Sequence, residues 1–228
     1  MNKKLSAEEL EQDLLIEYSS RFMHFYNNNK AAVWGAGIAI IALITLTIGY
    51  FVYSSQQEEE AQVLMGIAEQ SFNQGDYETA LYGNDAEFTL GFVQIAENYS
   101  RTNSGNLANY YAAVSEYELG NYESALEYIE RFDPPSGILG VSPISFHGII
   151  LLELERYEEA AEQFERAAEW DENNSTTPEN LYEAAQAYYE AGIEDQALGH
   201  VNTILDEYPN SHVSSNALKL KGLLTAQS

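Results

Sequence analysis

NYYAAVSEYELGNYESALEYIERF, residues 109–132, holds two small residues, Ala113 and Ala125, twelve positions apart on either side of LGNY (119–122). Gly120 suits the left-handed conformation that ends a helix, so the stretch predicts two helices joined by a tight turn. Antiparallel helices approach closely only where side chains are small, and one small residue on each, at a fixed offset from the turn, sets that contact. The pattern recurs along the chain. Ala68 pairs with Ala80 around QGDY (74–77), Gly148 with Ala160 around LERY (154–157), and Ala185 with Ala197 around AGIE (191–194). Gly75 and Gly192 repeat the turn glycine, and Tyr77, Tyr122 and Tyr157 fill the space beside the turn. The second-helix alanines lie 45, 35 and 37 residues apart, so the insertions fall between hairpins, mainly at 84–105 and 133–140.

This arrangement resembles the tetratricopeptide (TPR) repeat, a helix–turn–helix unit of about 34 residues. The resemblance implies an all-α solenoid with repeats at about 61–94, 106–139, 141–174 and 178–211. A half-repeat at 212–226 caps the stack, with Gly222 in the small-residue slot and Pro209 as the motif's closing proline. A second echo lies across the chain. ENYSRTNSGNLA (97–108) parallels DEYPNSHVSSNA (206–217), matching Tyr99 with Tyr208, Thr102 with Ser211 as helix caps, and Ala108 with Ala217. Tyr-Pro-x-Ser before a helix is similar to the repeats of bacterial envelope assembly proteins.

Outside the repeats, residues 31–53 read AAVWGAGIAIIALITLTIGYFVY, with no charged residue. As a helix the run is about 34 Å long, enough to cross a ~30 Å hydrocarbon core. Trp34 stands near one end and Tyr50 and Tyr53 near the other, as interfacial rings do. The segment therefore reads as a single transmembrane helix, preceded by a leader at 1–30 and followed by a linker at 54–60 and the repeat domain at 61–228. Leu10, Leu14, Tyr18, Phe22 and Phe25 give the leader a helical apolar period. Arg21 and Lys30 lie before the span, whereas the first basic residue after it is Arg101. That asymmetry predicts a cytoplasmic N-terminus and a translocated repeat domain.

The chain has 228 residues and a formal net charge of −26, with six basic residues against 31 acidic ones over 54–228. A surface of that sign repels phosphate, which argues against nucleic acid as a partner. Absence of cysteine excludes disulfides, thiolate metal sites and a cysteine nucleophile. No P-loop, GxGxxG, GxSxG or HExxH occurs, and His24, His147, His200 and His212 are scattered. No enzyme activity, cofactor or metal is expected. His147 reads as packed in a helix interface, and the acid clusters Glu58–Glu60 and Glu158–Glu159 read as solvated helix faces.

The repeat resemblance also implies a concave groove lined by the second, fifth, ninth, twelfth and thirteenth positions of each first helix. Here these give Met65, Glu69 and Phe72 in the first repeat and Leu107, Tyr110, Val114, Tyr117 and Glu118 in the second. The third contributes Ile149, Leu152 and Glu153, and the fourth Tyr182, Gln186, Tyr189 and Glu190. None is Lys or Arg, so this groove lacks the cations that clamp an acidic peptide tail. It suits an apolar segment that is neutral or basic.

A short leader, one span and an exported repeat domain together resemble the YfgM-like ancillary proteins of the bacterial Sec translocon, most of all at LGFVQIAENYSRTNSGNLANYYA (90–112). That resemblance implies a periplasmic domain on an inner-membrane anchor. Its partners would be a membrane export complex, a periplasmic chaperone or a client polypeptide. The alternative is a scaffold for cell-wall or outer-membrane assembly. The topology is open to a direct test. Cysteine placed at Ser55 should react with a membrane-impermeant maleimide on spheroplasts, and cysteine at Ser6 should not; the reverse pattern overturns the orientation.

Overall fold

A computed structural model describes residues 7–226, with side chains from residue 16 onward. Its secondary structure is helical; among the described residues the only β pairing is an isolated bridge between Asn84 and Thr89. The chain divides into two compact units, Met1–Gln56 and Gln57–Ser228.

The first unit contains α1 (Ala7–Asn28) and the start of α2 (Lys30–Asn73). Tyr18, Phe22 and Phe25 of the leader are exposed, while the side chains of Leu10 and Leu14, and all of residues 1–6, lie outside the described residues. Residues 54–60, expected as a linker, are helical and belong to α2. The physical reason is composition: from Tyr50 to Met65 there is neither glycine nor proline, and the Gln and Glu run at 56–60 consists of good helix formers.

The second unit stacks hairpins. The end of α2 is followed by α3 (Tyr77–Tyr82). Next come the pairs α5 (Asn103–Glu118) with α6 (Tyr122–Arg131), α7 (Ile138–Glu153) with α8 (Tyr157–Trp170), and α9 (Thr176–Glu190) with α10 (Glu194–Glu207). α11 (Ser214–Ala226) closes the stack. The alanines of the twelve-residue pairs are 0–4% exposed, and Gly148 is buried with them. All four turns close in the same way. The second residue after the helix donates its N–H to a carbonyl three residues back, and the next donates five residues back, as in Gly120 to Tyr117 at 2.9 Å and Asn121 to Glu116 at 2.9 Å.

The expected insertion at 84–105 carries a helix of its own, α4 (Phe92–Asn98), packed on α5. The first repeat's second helix is thus broken into α3 and α4. The break is built by two glycines: a Cβ on Gly83 would meet Thr89 O at 2.2 Å, and one on Gly91 would meet Leu81 O at 2.1 Å. Between them the loop presents Phe88, which is 93% exposed. After α4 the chain turns as it does after α10, with Thr102 N donating to Tyr99 O at 2.9 Å and Ser211 N to Tyr208 O at 3.0 Å.

Glu58 is not a solvated residue. Its carboxylate accepts from Asn103 N (2.6 Å), Ser104 N (3.1 Å) and Ser104 Oγ (2.7 Å), capping α5 from α2. A carboxylate at a helix N-terminus meets both the orphan N–H groups and the positive end of the dipole.

In three turns the left-handed position is glycine; in the third hairpin it is Glu155, at φ 57°. A side chain there costs about 1 kcal/mol or more. Glu155→Gly should therefore raise stability by up to about 1 kcal/mol. Gly120→Ala, whose Cβ would meet nothing within 4 Å, should lower it by about 1 kcal/mol through backbone strain alone. Urea unfolding checks both; shifts of the same sign would show the turns are not equivalent.

Candidate functional site

α8 packs on both α7 and α9, and α10 on both α9 and α11, while the successive first helices barely meet. The second helices act as wedges, and the space between neighbouring first helices stays open. The cleft between α7 and α9 encloses about 390 Å³. Val141, Ser142, Ser145 and Ile149 form one wall, Thr176, Glu179, Asn180 and Glu183 the other, and Phe164 the floor. The cleft between α9 and α11 encloses about 200 Å³ and is lined by Tyr182, Gln186, Tyr189 and Glu190 opposite Asn216, Lys219, Leu220 and Leu223.

Of the residues expected along the groove, Tyr182, Gln186, Tyr189 and Glu190 come together in the second cleft, and Ile149 lies in the first. The α5 set behaves differently. Tyr110 packs on Phe132 (5.4 Å between centroids) and Phe146 (6.0 Å), and Tyr117 on Tyr122 (5.3 Å) and Phe146 (5.3 Å). The Tyr117 hydroxyl donates to Glu153 Oε1 at 3.2 Å. These rings fill the space between α5 and α7. Val114 and Leu152 are half-buried, and Glu118 is exposed. Met65 is 3% exposed and lies in the core, and Phe72 meets Tyr77, Phe92 and Tyr111 edge-on. Both belong to the stripe Ala61, Met65, Ala68, Phe72, whose helical spacing turns one face of α2 inward.

Ser142, Ser145, Glu179, Asn180, Glu183, Asn216, Lys219 and Leu223 were not among the expected residues. Several were within reach of the same register: Ser142 and Ser145 are the second and fifth positions of the third repeat, Glu179 the second of the fourth, and Asn216 and Leu223 the fifth and twelfth of the cap. The cap also brings Lys219, a cation, to the edge of a lining expected to have none.

In the first cleft, Ser145 Oγ lies 2.5 Å from Asn180 Oδ1, and Asn180 Nδ2 donates to Thr176 O at 2.9 Å, tying α7 to α9. Burial, and then Glu179 one turn away, hold the Glu183 carboxyl above its ordinary range. Glu165 of α8 accepts from Tyr188 of α9 at 3.1 Å and lies 2.7 Å from His200 Nε2 of α10, and the Tyr188 and His200 rings stack at 5.7 Å.

Residues 151–222 match the tetratricopeptide repeat family. A solved structure titled "MamA RS-1 ArsTM double mutant" is similar over 73% of this chain and 95% of its own length, at 13% identity and a TM-score of 0.45. That likeness is too loose to bear on the site. No curated protein matches the sequence. The fold is an all-α tetratricopeptide-repeat solenoid.

Within that solenoid His147, beside the helix contact at Gly148, is pushed down to about 4 by burial, with Arg166 and Arg156 acting in the same direction and Glu159 against it. An unfolded histidine titrates near 6.5. Between about pH 6.5 and 4 the unfolded chain therefore binds a proton that the folded chain refuses, and stability falls as pH drops through that window. Because the ring is only part-buried, the loss should be on the order of 1–2 kcal/mol. Urea unfolding at pH 7 and pH 4.5 should show His147→Gln losing less stability than the wild type over that interval. Equal losses would mean that His147 is protonated in the fold as readily as outside it.

Proposed function

We propose that this chain is a non-enzymatic, membrane-anchored adaptor that binds polypeptide segments or a chaperone beside the protein-export machinery. Tetratricopeptide repeats are protein-binding scaffolds, and the open, tyrosine-lined cleft between α9 and α11 is the observation that carries the reading. Tyrosine supplies contact area at low entropic cost together with one polar group, which suits a surface that meets a peptide. α2 is long and apolar enough to cross a membrane, and its apolar residues from Trp34 to Tyr53 are largely exposed. A segment of that kind needs lipid or other helices around it. On this reading the anchor lies in a bacterial inner membrane with the leader in the cytoplasm and the repeats in the periplasm; Arg21 and Lys30 before the span, with no basic residue after it until Arg101, support that orientation. On this reading the anchor keeps the clefts at the exit side of the export complex.

The test uses the full-length chain, solubilised in mild detergent, with a photo-crosslinking residue at Gln186. Translocon subunits, a periplasmic chaperone or exported chains should crosslink. Changing Tyr182 and Tyr189 together to Ser should cut that yield about tenfold or more, with the helical circular dichroism retained. Phe88→Ser, on the inserted loop, should leave it unchanged. Wild-type yield from the tyrosine variant would move the contact to the loop or to the outer faces of the repeats.

A further inference from the structure

The cleft between α7 and α9 combines an apolar floor with an acidic wall. Its floor, Phe164, is apolar, as are Val141 and Ile149 of the α7 wall. Its other wall carries Glu179 and Glu183, like charges one turn apart on α9, of which Glu183 is half-buried. Such a pair is unfavourable on a helix face unless a cation stands nearby. None does. The ion pairs of the described residues are Arg21–Glu17, Arg131–Glu127, Arg156–Glu159 and His200–Glu165, none of which involves this wall. Ser145 and Asn180 satisfy each other and add no positive charge. A metal ion is a poor match, because no group of three or more His, Cys, Asp or Glu side chains among the described residues is placed to hold one.

An apolar occupant would cover the floor and leave the carboxylates to lose their water without compensation. An acidic one would be repelled. A long aliphatic stem with a cationic head matches both parts, as lysine and arginine do when their methylenes lie on apolar surface and their charge reaches a carboxylate. The volume, about 390 Å³, is at the small end of the ~300–1,000 Å³ range of ligand pockets, a size for one or two side chains rather than a folded element.

We propose that this cleft takes one lysine or arginine side chain of the bound polypeptide, its stem along Ile149 and Phe164 and its head on Glu179 and Glu183. The proposal rests on the adaptor reading and adds to it a charge requirement at one position of the bound segment. The α9–α11 tyrosines supply contact area, and the α7–α9 acids fix register.

The test selects twelve-residue peptides from a random phage-displayed library on the detergent-solubilised full chain. The winners are then measured as synthetic peptides by fluorescence anisotropy. Selected peptides should share one lysine or arginine, and replacing it with norleucine, an uncharged residue of similar length, should weaken binding roughly tenfold or more. The variant Glu179→Gln with Glu183→Gln keeps the shape of the wall and removes like-charge repulsion, so its fold should persist. It should bind lysine and norleucine peptides equally. Peptides that lose affinity in the Tyr182→Ser, Tyr189→Ser variant but tolerate norleucine would overturn the basic-side-chain proposal and leave the adaptor reading standing. Peptides indifferent to both variants, or an empty selection, would overturn the two together.

Discussion

At Gly148 a methyl group would come within 2.9 Å of the Phe164 ring, and at Ala113, Ala125, Ala160, Ala185 and Ala197 the small side chains are completely enclosed. This close approach of paired helices is the constraint on which the rest depends. Once each hairpin is held at its small residues, the second helix is thin enough at the contact to lie against the first helices of two hairpins at once. Protein interiors tolerate neither voids nor excess volume, so the spacing of first helices follows from how far the second helix wedges them apart. The clefts are what that wedge leaves open.

Where the wedge is supplemented by aromatic rings, the opening closes. Rings run from Tyr77 through Phe72, Tyr111, Tyr110 and Phe146 to Tyr117 and Tyr122, each within about 6 Å of the next. They fill the N-terminal half of the solenoid and span the space between α5 and α7. In α7 the position equivalent to Tyr110 is Ser145, and a cavity opens between α7 and α9; in α9 Tyr182 and Tyr189 return at the positions of Tyr110 and Tyr117 and line the next cleft without filling it. One periodic architecture thus has a packed half and an open half: Tyr110 and Tyr117 meet Phe146 of the next first helix, whereas Tyr182 and Tyr189 lie opposite Asn216, Lys219, Leu220 and Leu223 across an open cleft.

The hairpins were legible because their signals are local. A glycine in the left-handed position and a small residue on each side of it report a turn and a contact between residues only twelve positions apart, and even the turn at Glu155 was recognisable from its neighbours despite lacking the glycine. What escaped depends on partners far along the chain. Glu58 looks like one of three solvated acids until α5 presents its N-terminus some 45 residues later. Met65 and Phe72 occupy groove positions by register, yet the core stripe of α2 takes them inward. The break of the first repeat's second helix into α3 and α4 rests on Gly83 and Gly91 meeting backbone at close range, which no propensity records. The cleft walls were half legible: Tyr182 and Tyr189 were found by register, whereas Glu183 and Asn180 lie between register positions and face the cleft only because α9 is held away from α7.

The charge imbalance ties these features together. The repeat domain carries far more acids than bases, and most of those acids sit on exposed helix faces where water and salt screen them at little cost. Where an acid is buried, the chain supplies a partner: Glu116 is met by Tyr82 and Asn121, and Glu165 by Tyr188 and His200. Glu183 is half-buried with its carboxyl pushed up, and among the described residues no donor reaches it. A buried polar group without its own partner is costly in isolation. In a cleft that is open, apolar at its floor and one repeat away from a tyrosine-lined surface, the missing partner is most simply a group that arrives with a ligand.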